Sequence, residues 1–305
     1  MRLITPPAVT LATGYLLIEP GNIDAERFGQ LPPMRRCTPA PLSNADALMP
    51  RLIDLAALAP RQQQHLAQML LEETASRQPP AICAWIDSAL DGTALARHVA
   101  RFLFGPDADG KPLCWRYHDP RVFSLAALML FPAQLQALLG PVTEWRLPWC
   151  GQWWAVSGPG REIDPLDGIA PAWPNPAQWS SLAHSARIHK VMDALRDDGP
   201  AWSAGDHETI QVRTLQGLRY AVQRLKLSAD DDLAEFALLY VRHGNAFLRH
   251  RNLAPGWGQL ADGTRTWSQL RALVTTEAYA ALPGDAYKLA LPTERRHLSR
   301  PTTTP

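Results

Sequence analysis

The 305-residue chain has little net charge and no marked basic excess. It carries 30 basic and 29 acidic residues, which gives a formal net charge of +1 at pH 7. Proteins dedicated to nucleic acids usually have a clear excess of Lys and Arg, because neutralising phosphates releases bound counterions. The charge balance therefore argues against a nucleic-acid binder, and we expect no nucleic-acid partner.

Cysteine is also scarce. The four cysteines, Cys37, Cys83, Cys114 and Cys150, lie far apart, and no two form a CxxC pair. This spacing disfavours a zinc site or a redox motif, and a disulfide framework is not expected in a chain with so large a core. We expect reduced, buried cysteines, with neither a metal nor a cofactor.

Long apolar runs are missing as well. No run approaches the roughly 20 apolar residues that span a bilayer. The first residues, "MRLITPPAVTLATGYLLIEP", are interrupted by two prolines and by polar residues, so they are not typical of a signal peptide. We expect a cytoplasmic protein with no membrane partner.

Residues 1–157 alternate between strand and helix patterns. Apolar periodicity predicts helices over 60–77 and over 91–105, with Gly105 as the stop of the second. Strands are predicted over 14–20, 81–87 and 113–119, and a β-hairpin over "VTEWRLPW" and "GQWWAVSG", joined near Cys150 and Gly151. This pattern predicts an α/β (α+β) N-terminal domain with a mixed sheet and flanking helices.

The second half differs in character. Residues 158–178 are rich in Pro and Gly, which indicates a connection, and residues 179–305 are predicted to form a mainly helical C-terminal lobe with a disordered tail. Helices are predicted over the ranges 177–198, 206–227, 230–250 and 266–284. Asp206 and Asp230 are the predicted N-caps of the second and third of these helices.

The stretch "CWRYHDPRVF" (114–123) allows two interpretations. As an enzyme site, Arg116, His118 and Asp119 would place a general base in a cleft. Strand alternation, however, would send His118 and Asp119 to opposite faces, and the chain has no GxSxG motif. As a structural corner, Asp119 caps a helix that begins at Pro120, a cap worth about 1 kcal/mol. The structural interpretation is favoured.

Tryptophan is concentrated in the hairpin segment. Four of the eleven tryptophans lie within ten residues of one another. They are Trp145, Trp149, Trp153 and Trp154. Core packing is the simpler interpretation, but surfaces rich in aromatic and poor in charged residues also serve as protein interfaces, so partner binding stays open.

Residues 113–145 resemble the adaptor, or chaperone, family that loads toxic effectors onto the type VI secretion spike. The resemblance depends on an Arg-containing strand, an aromatic-x-Asp-Pro-Arg-Val signature, a helix pair and a "GPV" before a tryptophan. The signature residues here are Arg116, Tyr117, Asp119, Pro120, Arg121 and Val122. The similarity extends over roughly residues 12–155. The chain departs from the pattern at His118, where the family often has a second aromatic residue.

The resemblance implies a protein that is not an enzyme. Such a protein binds a cognate toxin in the bacterial cytoplasm and passes it to the spike protein (VgrG) without being secreted itself. We expect the N-terminal domain to be the common scaffold and the helical lobe to help select the toxin, so that deleting residues 160–305 should abolish toxin capture. The alternative is an enzyme with a cleft site around Arg116, His118 and Asp119.

Overall fold

The computed structural model describes residues 1–5, 12–107, 109–162, 172–196, 203–275, 278–279 and 281–282. The chain divides into two compact units, an N-terminal unit, Met1–Ala183, and a C-terminal unit, His184–Pro305. The tail predicted to be disordered and the middle of the Pro/Gly-rich connection lie outside the described residues.

The N-terminal unit is built on an antiparallel sheet. Its described strands are β1 (Arg2–Ile4), β2 (Tyr15–Ile18), β3 (Arg35–Arg36), β4 (Arg51–Asp54), β5 (Ile82–Ser88), β6 (Phe104–Pro106), β7 (Pro112–Cys114), β8 (Val142–Trp149) and β9 (Gln152–Ser157). Seven of them form one sheet in the order β1-β9-β8-β5-β2-β4-β3, and β6 pairs with β7 separately. All the described pairs are antiparallel. The predicted fold class is confirmed, in its α+β form.

Apolar side chains cover both faces of this sheet. The flanking helices are α1 (Ala25–Gln30), α2 (Pro60–Ala75), α3 (Gly92–Arg101), α4 (Pro120–Met129), α5 (Pro132–Leu139) and α6 (Pro176–Leu182). On one face, Leu66 and Leu70 of α2 pack in a fully buried cluster with Leu16 and Trp153. Trp145 belongs to the opposite face, because it is paired with Val156 whereas Trp153 is paired with Pro148.

The predicted hairpin is confirmed. Strands β8 and β9 are joined by Cys150 and Gly151, whose φ angles are 51° and 72°. Two successive residues with positive φ characterise the tight turns that match the twist of an antiparallel pair. Gly151 adopts this conformation without steric cost, whereas Cys150 is one of two non-glycine residues with positive φ in the described chain.

The second predicted helix ends earlier than its periodicity suggests. It begins after the capping Asp91 and ends at Arg101, and strand β6 begins at Phe104. Gly105 is therefore not a helix stop. It lies in β6 beneath Trp173, and a Cβ atom there would be only 2.7 Å from the indole ring. The glycine permits close packing of Trp173 on the strand.

The C-terminal unit is helical in its described part. Its helices are α7 (Ser185–Arg196), α8 (Ala204–Leu225), α9 (Asp230–Leu248), α10 (Trp257–Ala261) and α11 (Trp267–Arg271). Aromatic rings of α9, α10 and α11 form its core: Phe236 meets Phe247, Trp257 and Trp267 edge to face, with centroids 5.2 to 6.0 Å apart. Within the described residues, no helix is long and apolar enough to cross a membrane.

Several helix boundaries differ from the prediction. The helix predicted over 177–198 is two helices, α6 and α7, because the backbone turns at Ala183. The cap of α8 is Ser203, and Asp206 lies three residues later, where it completes a capping box. Ala229 precedes α9, so Asp230 is its first residue and not its cap. Within the range 266–284, α11 ends at Arg271 and turn residues follow it, whereas part of the range beyond Thr275 lies outside the described residues.

Candidate functional site

Residues 114–123 run from the end of β7 into α4, and residues 115–119 form the turn between them. The predicted strand over 113–119 ends at Cys114, because its partner β6 begins at Phe104 and offers no further pairing. Trp115 still donates its backbone N–H to Leu103 at 2.8 Å, and Asp119 then donates to the carbonyl of Arg116 at 3.0 Å. The chain therefore turns before the helix, and the prediction of a strand beyond Cys114 is wrong.

Burial within the turn follows alternation only as far as Tyr117. Trp115 and Tyr117 are buried, as expected for two residues on one face, and the Tyr117 hydroxyl donates to the carbonyl of Val99 at 3.1 Å. Arg116 points outward, with 48% of its side chain exposed. His118, expected on the side of Arg116, is instead only 2% exposed. The turn brings this imidazole into the interior.

Glu19 is the partner of both His118 and Arg116. Its Oε2 accepts a hydrogen bond from Nε2 of His118 at 2.8 Å and lies 2.9 Å from Nη2 of Arg116. Its Oε1 accepts the backbone N–H of Gly21 at 3.1 Å. The carboxylate directly follows strand β2 and is 2% exposed, so a buried charge is held by three donors.

The electrostatics of Glu19 favour its ionised form. Burial acts to raise the pKa of this carboxyl, but the hydrogen bond and charge of His118, with the charge of Arg116, outweigh burial and lower the pKa below its usual value. A carboxylate acceptor requires the proton of the imidazole to be on Nε2. Glu19, His118 and Arg116 thus form one cluster around a buried carboxylate.

Asp119 and Arg121 form a second pair beside this cluster. Asp119 is the N-cap of α4, and its Oδ1 accepts the backbone N–H of Arg121 and the Nε of the same residue, both at 2.9 Å. Pro120 is the first helical residue, as predicted. Burial acts to raise the pKa of Asp119, but the guanidinium of Arg121 overcomes this and lowers it. The predicted cap is confirmed, and both signature arginines are engaged in ion pairs.

The thiol of Cys83 is influenced by these carboxylates. Cys83 of β5 is fully buried, and burial, with the charges of Asp119 and Glu19, raises the pKa of its thiol well above the usual value. A raised pKa favours the neutral thiol, and the thiolate is the reactive form of cysteine. Cys37 and Cys150 are also buried and unbridged, but Cys114 is exposed, so the prediction that all four cysteines are buried is wrong for one of them.

Three tryptophan rings pack together at the beginning of the turn. Trp115, Trp173 and Trp179 meet in pairwise edge contacts, with centroids 5.4 to 5.6 Å apart. Gln178 of α6 donates to the carbonyl of Met129 at the end of α4, at 2.9 Å. The last residues of the predicted connection, together with α6, therefore pack within the N-terminal unit and belong to its core.

The four hairpin tryptophans are interior residues. Trp145, Trp149, Trp153 and Trp154 are each 3% exposed or less. Phe123 of α4 stacks on Trp145 with centroids 4.8 Å apart, and the indole N–H of Trp153 donates to Thr74 of α2 at 3.0 Å. These side chains offer no exposed area to a partner, and core packing accounts for them.

Sequence reasoning placed Arg116, His118, Asp119 and Arg121 in one stretch but missed Glu19. The available signal was an acid directly after four buried apolar residues, since a charge at the edge of a core requires a partner. The signal did not indicate which of the chain's basic residues the partner would be.

A family model described as "Domain of unknown function (DUF4123)" matches residues 32–137. The match covers about a third of the chain. It contains residues 114–123, called the corner below, but neither Glu19 nor Trp145. No curated protein and no solved structure shows significant similarity to the chain.

Proposed function

We propose that the chain is an adaptor of a bacterial type VI secretion system, which binds a toxic effector in the cytoplasm and loads it onto the spike protein (VgrG). The observation that carries the proposal is the signature from Arg116 to Val122, which lies inside the segment matched by the family model. The signature is the most specific part of the resemblance to the adaptor family.

The chemistry of the corner supports a binding protein over an enzyme. Glu19 uses both carboxylate oxygens within the fold, and Asp119 is committed to the helix cap and to Arg121. His118 is buried against Glu19. A general base must reach the proton that it removes, so these groups are better suited to stabilising the corner than to acting on a substrate.

One feature favours the enzyme alternative. A histidine in a 2.8 Å hydrogen bond with a carboxylate is the arrangement that orients a catalytic imidazole. His118→Gln separates the two functions, because the glutamine amide keeps an N–H donor for Glu19 but cannot act as a base. An adaptor keeps its melting temperature and its delivery of toxin. An enzyme keeps its melting temperature and loses its activity.

Secretion by the bacterium that encodes the chain tests the adaptor proposal directly. Deleting the gene should remove one toxin from the culture medium while the spike protein is still secreted, and restoring the gene should restore that toxin. The tagged chain should co-purify with this toxin from cells and stay out of the medium. Unchanged toxin secretion, or secretion of the chain itself, would refute the proposal. A toxin gene beside a spike gene would identify the partner to assay.

A further inference from the structure

A groove in the N-terminal unit lies apart from the corner. It has a volume of about 510 Å³, and it runs between helix α3 and residues 38–41. Arg97, His98 and Arg101 line it from α3, and Pro39, Pro41 and Phe104 are among its apolar residues. Glu162 is the one acidic residue that lines the groove. Basic groups therefore outnumber acidic groups at a concave, partly apolar surface.

The two arginines of the groove have no carboxylate partner within ion-pair distance among the described residues. Arg97 and Arg101 are both exposed, whereas Arg116, Arg121 and Arg146 of the same unit are all in ion pairs. His98 contributes no further charge. Its Nε2 lies 3.0 Å from the carbonyl of Leu138, and burial lowers the pKa of its ring. The positive charge of the groove is that of two guanidinium groups.

The spacing of these arginines suits a ligand whose acidic groups lie a similar distance apart. Residues four apart on a helix lie on one face, with Cβ atoms about 6 Å apart. In an extended peptide, side chains two positions apart lie on one side, about 6.6 Å apart at a rise of about 3.3 Å per residue. Carboxylates at alternate positions of an extended chain can thus meet Arg97 and Arg101 together, and the intervening side chains face away from them.

We propose that this groove binds an extended segment of a partner protein in which acidic and apolar side chains alternate. The carboxylates pair with Arg97 and Arg101, as bidentate guanidinium contacts favour. The apolar side chains contact the prolines of residues 38–41 and Phe104. We choose an acidic ligand because its carboxylates complement the two guanidinium groups. The apolar lining favours a peptide over a nucleic acid. The proposal concerns a surface outside the corner and does not depend on the adaptor role.

Binding of a fluorescein-labelled peptide of alternating Glu and Leu to the full chain tests the proposal. We expect saturable binding that weakens with added salt, and an analogue of alternating Gln and Leu should bind at least about tenfold more weakly. The double variant Arg97→Glu/Arg101→Glu should lose about tenfold or more in affinity for the acidic peptide.

The matched control is Arg61→Glu/Arg249→Glu, which makes the same change in net charge at two exposed arginines outside the groove. It should bind the acidic peptide as the parent does, and both double variants should keep the parent's melting temperature. The proposal would be overturned if the parent bound the acidic peptide and its Gln analogue equally well. It would also be overturned if the Arg97→Glu/Arg101→Glu variant bound the acidic peptide as tightly as the parent does. So would a short oligothymidylate that binds the groove in preference to the acidic peptide.

Discussion

Glu19 and His118 are 99 positions apart in sequence and share a 2.8 Å hydrogen bond in the interior of the N-terminal unit. The bond joins the end of strand β2, which lies between β5 and β4 in the sheet, to the turn that precedes α4. Arg116 binds the same carboxylate from the surface. The corner is therefore fixed by a buried hydrogen bond to a carboxylate as well as by its own helix cap, and removing His118 takes one of three donors from the buried carboxylate of Glu19.

We expect His118→Ala to destabilise the chain by about 1–3 kcal/mol, because the buried carboxylate of Glu19 loses a donor. The free energy of unfolding is measured by urea denaturation monitored by tryptophan fluorescence. His118→Gln keeps a donor for Glu19 and should unfold with a free energy close to that of the parent.

A double-mutant cycle with Glu19→Gln isolates the contact. The variant with both changes should be more stable than the sum of the two single losses predicts, because contacting residues are not additive. Strictly additive losses would mean that the two residues act independently and that their contact contributes nothing to the free energy of unfolding.

Stability should fall at acid pH through Glu19 and Asp119. The folded-state pKa of each lies below its ordinary value, 4.5 for Glu19 and 3.8 for Asp119. A carboxyl with a lowered folded pKa contributes stability that is complete above the ordinary value and is lost as the pH falls through the folded pKa. We expect a sharp decline in the free energy of unfolding below about pH 4.5, measured by urea titrations at several pH values.

The double variant Glu19→Gln/Asp119→Asn is the control for this decline. It should be less stable at neutral pH and should lose less between pH 4.5 and lower values, because it no longer carries the two carboxyls. A variant curve parallel to that of the parent would show that other groups cause the acid loss.

Local patterns were sufficient for most elements of the N-terminal unit. Helices α2 and α4 begin at prolines that suit the first helical position, and the hairpin follows from alternation around a two-residue turn. The predictions were wrong where contacts with another element set the end of a strand or helix. Strand β7 stops because β6 is short, and Gly105 serves Trp173 rather than a helix end. Such facts depend on residues distant in sequence, which local periodicity does not report.

In the candidate site, too, local features could be predicted from the sequence and contacts between distant residues could not. The cap by Asp119 could be predicted because capping acts over two or three residues. The pairing of Glu19 with His118 could not, because it depends on which strand end meets the corner. The burial of Trp145 and Trp153 on opposite faces follows from strand alternation, but which helix covers each face does not.

We expect Asp119→Ala to destabilise the chain by about 1–3 kcal/mol, through loss of the α4 cap and of the pair with Arg121. Asp119→Asn is the matched variant, since its side-chain oxygen still accepts the backbone N–H of Arg121 but carries no charge. It should recover most of the melting temperature that alanine loses. Equal losses for the two variants would show that charge, and not capping, is the main contribution of this residue.

The position of Trp173 and Trp179 on Trp115 changes where the chain should be divided. A fragment ending at residue 183 keeps the three-ring contact, whereas one ending at residue 159 removes two of its rings and uncovers the third. We expect residues 1–183 to unfold cooperatively in thermal denaturation. Residues 1–159 should melt at a lower temperature and bind a hydrophobic dye.

Under the proposed adaptor role, the longer fragment tests whether the helical unit selects the toxin. Because residues 1–183 keep the whole N-terminal core, a loss of toxin capture by this fragment reflects the missing C-terminal unit and not damage to the corner. We expect that loss in co-purification from cells, with the full chain as the positive control. Capture of the toxin by residues 1–183 at full affinity would place the recognition surface in the N-terminal unit.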